Sequence, residues 1–424
     1  MATDLNVNIA SPEFKADPFP YYRKLREQAP VHRVTLPDKQ TAWLVTRYDD
    51  VVAVLKDERF AKDRFRVLSP AQLAARPWIP EMFRPLARNM LNVDPPDHTR
   101  LRALVQQAFS PRLVEGMRDR IETLSHELLD RAAGRGRMDL IRDYALPIPT
   151  TIIAEMLGVP VGDRHKFNRW SNTILAAAAA TRWGMMRAIP SVWLFMRYVR
   201  RLIKIRRADL GDDLVGALIQ AKDSSETFSD DELLSMILLL IVAGHETTVN
   251  LIASGMLALL EHPDQLEKLR HDPSLARSAV EELLRYTASV EIATERFARE
   301  DLEIAGVRIA QGDVVFAVLA SANRDERQFD NPDTLDIARE PNKHVAFGQG
   351  IHFCLGASLA RLEGQIAINA LLARTADLRL AVEPTALRWR TGLVLRGLKA
   401  LPVRFTLATP TARRHQTAAS VPSA

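Results

Sequence analysis

The sequence predicts a mainly α-helical protein with small β-sheets, organised as one domain over residues 1–408 with a disordered tail at 409–424. Three observations carry this expectation. Ser229-Asp230-Asp231-Glu232 is a capping-box sequence, and the helix it opens meets no proline before His262-Pro263. Such a helix spans about 48 Å at about 1.5 Å per residue. From Leu233 to Val242 it is apolar almost all round, so it must be buried on every side, which leaves little room for separate domains beside it. Helical segments dominate the rest, and the β-rich segments are short and bounded by turn residues. No internal repeat and no Gly/Ser- or Pro-rich linker divides the chain.

Taken in order, Phe19–Gln28 predicts a helix, and Val31 to Tyr48 predicts two strands around Pro37-Asp38. Asp49 to Asp57 returns to helix. Phe60 to Met90 is irregular, with prolines at 70, 77, 80 and 85. Asp94-Pro95-Pro96-Asp97 stops one element and starts a helix running to about Phe109. Further helices are expected near 112–133, 147–157, 163–180 and 190–207. Asp272-Pro273 opens a helix to Tyr286 by an N-cap and a first-turn proline. Ile304 to Asp313 holds turn signals between short strands. Asn342 to Gly356 is a glycine-spaced loop, Ala357 to Arg374 is helix, and strand and turn follow.

Composition excludes several classes. The chain has 424 residues, 47% hydrophobic and 26% charged, which rules out wholesale disorder. A net charge of +5 over this length gives no argument for nucleic acid as a partner. Met1 to Pro12 lacks a basic segment followed by an apolar run, so it is no signal peptide. The run Leu233 to Gly244, broken by Ser235, is expected to be too short for a membrane span. A soluble, cytoplasmic protein with no membrane association is expected.

The chain has one cysteine, Cys354, which excludes an internal disulfide. It sits in Phe347-Gly348-Gln349-Gly350-Ile351-His352-Phe353-Cys354-Leu355-Gly356. Glycine permits close backbone approach, as a flat cofactor against the loop would need. A helix starts just after the cysteine, and its positive end favours a thiolate that could ligate a metal or attack an electrophile. A buried, inert free cysteine fits the same residues.

Phe347, Gly350, Cys354 and Gly356, with His352 between, resemble the haem-ligand loop of the cytochrome P450 superfamily. Three further motifs are similar and occur in the family's order. Glu282-Leu283-Leu284-Arg285 resembles its Glu-x-x-Arg. Ala243-Gly244-His245-Glu246-Thr247-Thr248 resembles its oxygen-activation motif, and His98-Thr99-Arg100-Leu101-Arg102 its first propionate motif. The resemblance runs from about Asp17 to Thr406 and is to the soluble bacterial type.

It implies a haem b sandwiched between the long helix and the cysteine loop, with Cys354 as the iron ligand. A thiolate there favours O–O cleavage. It also implies that Phe347, Gly348 and Gly356 lie against the haem on the cysteine side, and Ala243 and Gly244 on the other. Glu246 and Thr247 would relay protons to dioxygen. His245 reads as a residue on a surface turn. His98, Arg102, Arg296 and His352 would meet the propionates, and Glu282, Arg285 and Arg339 would form a structural ion-pair cluster.

On the substrate side the resemblance implies a pocket of Leu239, Val242, Ala243, Ile292, Thr294, Leu393 and Val394, plus the loop before Leu91. All but Thr294 are apolar, so an apolar or amphipathic substrate is expected: a secondary metabolite, terpenoid, steroid or fatty-acid-like molecule. One departure stands out, because Ser289 occupies a position where the family often has proline. Arg197, Arg200, Arg201, Lys204, Arg206 and Arg207 read as a solvated helix face or as a lid attracting an acidic substrate. Trp170, Trp183, Met185, Met186 and Met196 read as packing.

The reaction expected is hydroxylation or epoxidation with dioxygen. No nucleotide-binding fingerprint is evident. Electrons are therefore expected from a ferredoxin or flavodoxin with its NAD(P)H reductase, docking near Arg112, Lys343 and Arg361. A peroxide-driven peroxygenase, a non-catalytic haem sensor and a cysteine hydrolase using Cys354 and His352 are the alternatives.

Overall fold

The computed structural model describes residues 7–36, 40–74, 89–167, 169, 170, 173, 182–222 and 226–408. Its spine is the helix Asp230–Glu261, 32 residues long. The capping box forms as expected: Ser229 accepts from the Glu232 N–H, and the Glu232 carboxylate accepts from the Ser229 N–H. By length and hydropathy the whole helix, unlike the shorter run read from the sequence, could cross a membrane, with a window of mean hydropathy 1.7. Most of that window is buried inside the protein, so this is a core helix. Each fully buried Leu or Ile along it contributes on the order of 1.5–3 kcal/mol.

Helices Asp97–Ala108, Arg118–Ala133, Pro147–Met156, Ala276–Thr287 and Ala357–Arg374 surround this spine or each other. Two glycines set the spacing. A Cβ on Gly255 would lie 3.1 Å from Leu283, and one on Gly364 would lie 3.0 Å from Leu251. The central helix thereby sits close to both Ala276–Thr287 and Ala357–Arg374.

Three small sheets lie outside this bundle. β1 (Val31–Thr35), β2 (Thr41–Val45), β3 (Phe60–Ala61), β4 (Arg137–Asp139), β5 (Arg296–Ala298), β6 (Leu302–Ile304), β7 (Val307–Ile309), β8 (Val314–Ala317), β9 (Thr375–Leu380) and β10 (Pro402–Leu407) make them up. The largest has the order β1-β2-β8-β5-β3, with β2 and β8 parallel. β3 pairs antiparallel with β5, with Phe60 opposite Ala298 and Ala61 opposite Phe297.

Several expectations need correction. The helix expected near 112–133 is two helices, Pro111–Glu115 and Arg118–Ala133. The helix Leu214–Gln220 was not expected; it is capped by Asp213 and buries Leu214, Val215 and Leu218. The stretch Phe60 to Met90 contains β3 and the short helices Arg64–Val67 and Pro70–Ala74. Residues 75–88, most of 163–180, the turn at Pro37-Asp38 and the tail 409–424 lie outside the described residues.

Two buried carboxylates join these helices. Glu282 accepts from Arg285 Nε and Nη2 at 2.7 Å, from Arg339 Nε at 3.1 Å and from Asn342 Nδ2 at 3.1 Å. The expected cluster of Glu282, Arg285 and Arg339 is thus assembled, with Glu282 and Arg285 fully buried. Removing one partner of such a cluster leaves an uncompensated buried charge. Glu363, on Ala357–Arg374, is also buried, and neither of its oxygens makes a well-formed hydrogen bond among the described residues. Burial pushes its carboxyl up to about 8, and the neighbouring Thr248 hydroxyl pulls the other way.

Because the folded chain holds this proton more tightly than the unfolded chain, the neutral carboxyl's contribution is full below the ordinary carboxylate range. It is lost as pH rises toward 8. Each pH unit in that window costs about 1.4 kcal/mol. Glu363→Gln should therefore melt like wild type in mild acid and above wild type at about pH 9 in thermal melts of the holoprotein. An identical offset at both pH values would contradict this assignment.

Candidate functional site

The cysteine loop is shaped by glycine and closed by its own backbone. The Cys354 N–H donates to the Phe347 carbonyl at 2.9 Å, the Phe353 N–H to Gly350 at 3.1 Å and the Gly348 N–H to Val345 at 2.9 Å. Gly350 has φ +73, and a Cβ there would lie 2.7 Å from the Leu55 carbonyl oxygen, so both conformation and space demand glycine. Gly348, at φ +71, and Gly356 have no atom within 4 Å of where a Cβ would be, so the loop keeps open faces.

Cys354 is exposed as a residue. Desolvation pushes its thiol up, and the Gly356 N–H and the charges of Arg102 and Arg361 act the other way. Among the described residues no hydrogen bond joins Cys354 to a general base; the expected partner of a hydrolase, His352, lies against His98, with ring centroids 4.2 Å apart. Phe347 packs under the Arg361 guanidinium, 4.5 Å from its ring centroid.

The central helix is buried along most of its length but keeps an accessible strip in its middle. Leu239, Leu240, Val242, Gly244, Glu246 and Thr247 are half-buried and Ala243 is exposed. Residues 239, 243 and 246/247 fall on one face by helical spacing. A Cβ on Gly244 would meet only Ile153, at 4.0 Å, so this glycine widens the strip without being forced by a neighbour. The Thr247 hydroxyl donates to the Ala243 carbonyl at 3.0 Å. Glu246 receives a hydrogen bond from Arg390 at 2.8 Å, and Arg390 is itself fixed to the Leu398 carbonyl.

His245 corrects the surface-turn expectation. It is 1% exposed, its Nδ1 bonds the Ile241 carbonyl at 2.8 Å, and its Nε2 has no partner among the described residues. The helix presents positions 243, 246 and 247 to the open strip, and that rotation turns position 245 into the core.

The expected propionate residues lie at one edge, where Arg102 and Arg296 are the cations and His98 packs on His352. His98 is buried and its Nε2 has no partner among the described residues. Arg102 Nη1 donates to the Phe353 carbonyl at 2.9 Å. Arg296 is 5% exposed, and among the described residues its guanidinium makes two long hydrogen bonds, at 3.5 Å, to the carbonyls of Thr294 and Leu55. Burial lowers it to about 10. His352 is held down to about 2 by burial first, then by His98, Lys62, Arg296 and Arg102. No carboxylate pairs with Arg102 or Arg296 among the described residues. A thiol beside a helix N-terminus, an accessible strip on a buried helix and an edge with surplus positive charge together fit haem b, whose propionates are the anions such an edge lacks.

The substrate-side expectations separate. Leu239, Val242, Leu393 and Val394 are half-buried and partly accessible. Ile292 is not: it is fully buried in a core cluster with Tyr22, Leu25 and Ala320, which removes it from an accessible pocket. The Thr294 hydroxyl is engaged, accepting from Lys62 at 2.5 Å. Ser289 does not free the backbone in place of proline, since its carbonyl accepts from the Arg396 N–H and the Glu291 N–H is held by Val394 at 2.9 Å. Arg206 and Arg207 are spent on Asp213 and Asp230, and Arg200 lies 3.8 Å from Asp231, which leaves Arg197, Arg201 and Lys204 as the solvated part of that face. Arg361 is likewise spent on Glu281, at 2.6 and 2.8 Å, and so is withdrawn from the expected docking set. Lys62, Arg390 and Glu363 carried no signal in the sequence, because each acts through a partner far away in the chain.

The chain matches the family described as Cytochrome P450 over residues 5–376. Among characterised relatives it is 44% identical over 397 residues to the polyketide biosynthesis cytochrome P450 PksS of Bacillus subtilis, covering 93% of this chain and 97% of that one. The PksS structure matches with a TM-score of 0.88, covering 94% of this chain and 100% of that one. The 6-deoxyerythronolide B hydroxylase of Saccharopolyspora erythraea is 42% identical over 402 residues, 94% of this chain and 98% of its own. The myxobacterial cytochrome P450 CYP267B1, solved in complex with myristic acid, matches at 46% identity and TM-score 0.86, over 94% of this chain and 98% of its own. The geometry of the loop, strip and cationic edge agrees with these similarities: this chain belongs to the cytochrome P450 family and is a haem b monooxygenase.

Proposed function

We propose that this enzyme hydroxylates or epoxidises an acyl-chain-derived apolar small molecule, of polyketide or fatty-acid type. In this reading Cys354 is the iron ligand, Glu246 and Thr247 form the proton relay, and electrons come from a separate ferredoxin or flavodoxin with its NAD(P)H reductase in the cytoplasm. The observation that carries it is the central strip: Leu239, Val242 and Ala243 give an apolar surface, and one acid and one hydroxyl follow it directly. The characterised relatives act on or bind molecules of this kind by their names, which supports the substrate class.

Bound haem supplies the activation of dioxygen, one atom entering the substrate and the other leaving as water after two electrons and two protons. The protein's residues supply the rest. Phe347 and the open faces of Gly348 and Gly356 accept a flat ring beside the sulfur. Arg102, Arg296, His98 and His352 hold the propionate edge. Glu246 is half-buried and tied to Arg390, which is 39% exposed, so the pair links solvent to the strip. Thr247 spends its hydroxyl hydrogen on Ala243, leaving lone pairs free to accept a proton from the Glu246 side and, by rotation, to donate it onward. Arg112, Lys343 and Ile351 are exposed, and we assign the two cations to the electron carrier.

Titration of the ferric holoprotein with macrolactones and fatty acids should give a low-to-high spin shift with members of one of these classes. Turnover with ferredoxin, reductase and NAD(P)H should then give a product heavier by one oxygen atom. A shift with neither class would overturn the substrate assignment. Thr247→Ala should keep consuming dioxygen while the product formed per dioxygen falls on the order of tenfold or more. Unchanged coupling would remove Thr247 from the relay.

A further inference from the structure

Leu393 and Val394 lie outside the strands. Their stretch meets the segment before β5 through an isolated bridge, Val290 to Leu395. The Glu291 N–H donates to the Val394 carbonyl at 2.9 Å, and the Arg396 N–H to the Ser289 carbonyl at 3.2 Å. The other contacts that fix this stretch come from the opposite end of the chain. The short helix Pro12–Ala16 carries Lys15, which is fully buried. Its Nζ donates to Glu291 Oε2 at 2.7 Å and to the Leu393 carbonyl at 3.2 Å. In return, Arg396 donates from Nε to the Lys15 carbonyl at 2.8 Å and from Nη2 to the Ala16 carbonyl at 3.0 Å. The Gly392 N–H donates to the Ala10 carbonyl at 3.1 Å. Residues 10–16 therefore clasp the stretch 392–396 on both sides of Leu393 and Val394.

Charge balance separates the roles inside this clasp. Glu291 is fully buried and also accepts from the Tyr22 hydroxyl at 2.5 Å. Its carboxylate pairs with Lys15, and its charge also offsets that of buried Arg396. One buried carboxylate thus serves two buried cations. A buried charge without full compensation is costly, and Glu291 keeps a cationic neighbour and a hydroxyl donor even without the lysine. Lys15 is therefore surplus to the pairing of Glu291. What it alone supplies, among the described residues, is a donor to the Leu393 carbonyl.

We infer that Lys15 is a positioning residue for the substrate: from the N-terminal helix it holds the Leu393 carbonyl and so sets where Leu393 and Val394 stand beside the strip of the central helix. Being fully buried, it acts through this turn and not by touching substrate. The assignment rests on the reading of Leu393 and Val394 as pocket residues and adds to it the element that places them.

The test is the binding of imidazole and 4-phenylimidazole to the ferric holoprotein, read as dissociation constants from the red shift of the main haem band. Imidazole reports on the iron alone, whereas the phenyl ring also needs the pocket wall. A methylene-sized change in an apolar pocket is worth about tenfold or more, so Lys15→Met should weaken 4-phenylimidazole by about that factor and leave imidazole as in wild type. Arg26→Met, which unties the neighbouring helix Phe19–Gln28 from Ser321, should lower stability and change neither constant. The assignment is overturned if K15M keeps both wild-type constants, if it weakens both ligands alike, or if R26M reproduces the K15M result. Leu393→Phe tests the wall itself and should move the 4-phenylimidazole constant alone. Two unchanged constants there would overturn the pocket reading on which the role of Lys15 stands. If K15M takes up no haem, K15M/E291Q gives the same reading with both charges removed. Failure of both variants to take up haem would make Lys15 a brace of the fold and overturn the assignment.

Discussion

The Cys354 sulfur can serve as a ligand only if its loop neither collapses onto it nor drifts away, and the surrounding structure is organised around that constraint. A chain of buried polar contacts holds the loop from behind. Glu282 fixes Arg285, and Arg285 donates to the Asn323 carbonyl at 2.9 Å. Asn323 in turn accepts the Val345 N–H through its side chain at 2.8 Å, and the Val345 carbonyl receives the Gly348 N–H at 2.9 Å. A buried ion pair is weak as a source of stability but effective at fixing one arrangement. Here the arrangement fixed is the start of the ligand loop, while Gly350 seats that loop against Leu55.

The two sides of the site have opposite electrostatics. At the edge, Arg102 and Arg296 lie without carboxylate partners among the described residues, in surroundings that burial has made costly for charge. On the central helix, the accessible strip is apolar and its one acid, Glu246, is already paired with Arg390. The chain therefore stores its unmet demand for an anion at the edge and keeps the strip nearly neutral. This division suits a planar cofactor with charged substituents on one side only. It also lets an apolar substrate approach the strip without meeting an uncompensated charge.

Much of this was legible in the sequence because the decisive motifs are contiguous. The cysteine loop, the Glu282–Arg285 spacing and the His98–Arg102 spacing each fit within one or two turns, and the capping box announced the spine. What escaped depends on register and rotation. Lys62 acquires its contact with Thr294 from the β3–β5 pairing, Arg390 its contact with Glu246 from a return of the chain 144 residues later, and Glu363 its burial from the close packing that Gly364 allows. His245 and Ile292 were misplaced for a shared reason. Each neighbours residues that were expected at the site, and only the rotation of the helix or the packing of the segment before β5 decides which neighbour turns inward. Arg361 was counted as a free surface cation because Glu281, its partner, lies 80 residues away.

The proposed ligation by Cys354 is tested most directly by the absorption spectrum of the reduced holoprotein under carbon monoxide. A thiolate-ligated haem would give a strongly red-shifted band, which wild type should show and Cys354→Ser should lose. A wild-type spectrum of the kind given by a histidine-ligated haem, left unchanged by the serine substitution, would contradict the account.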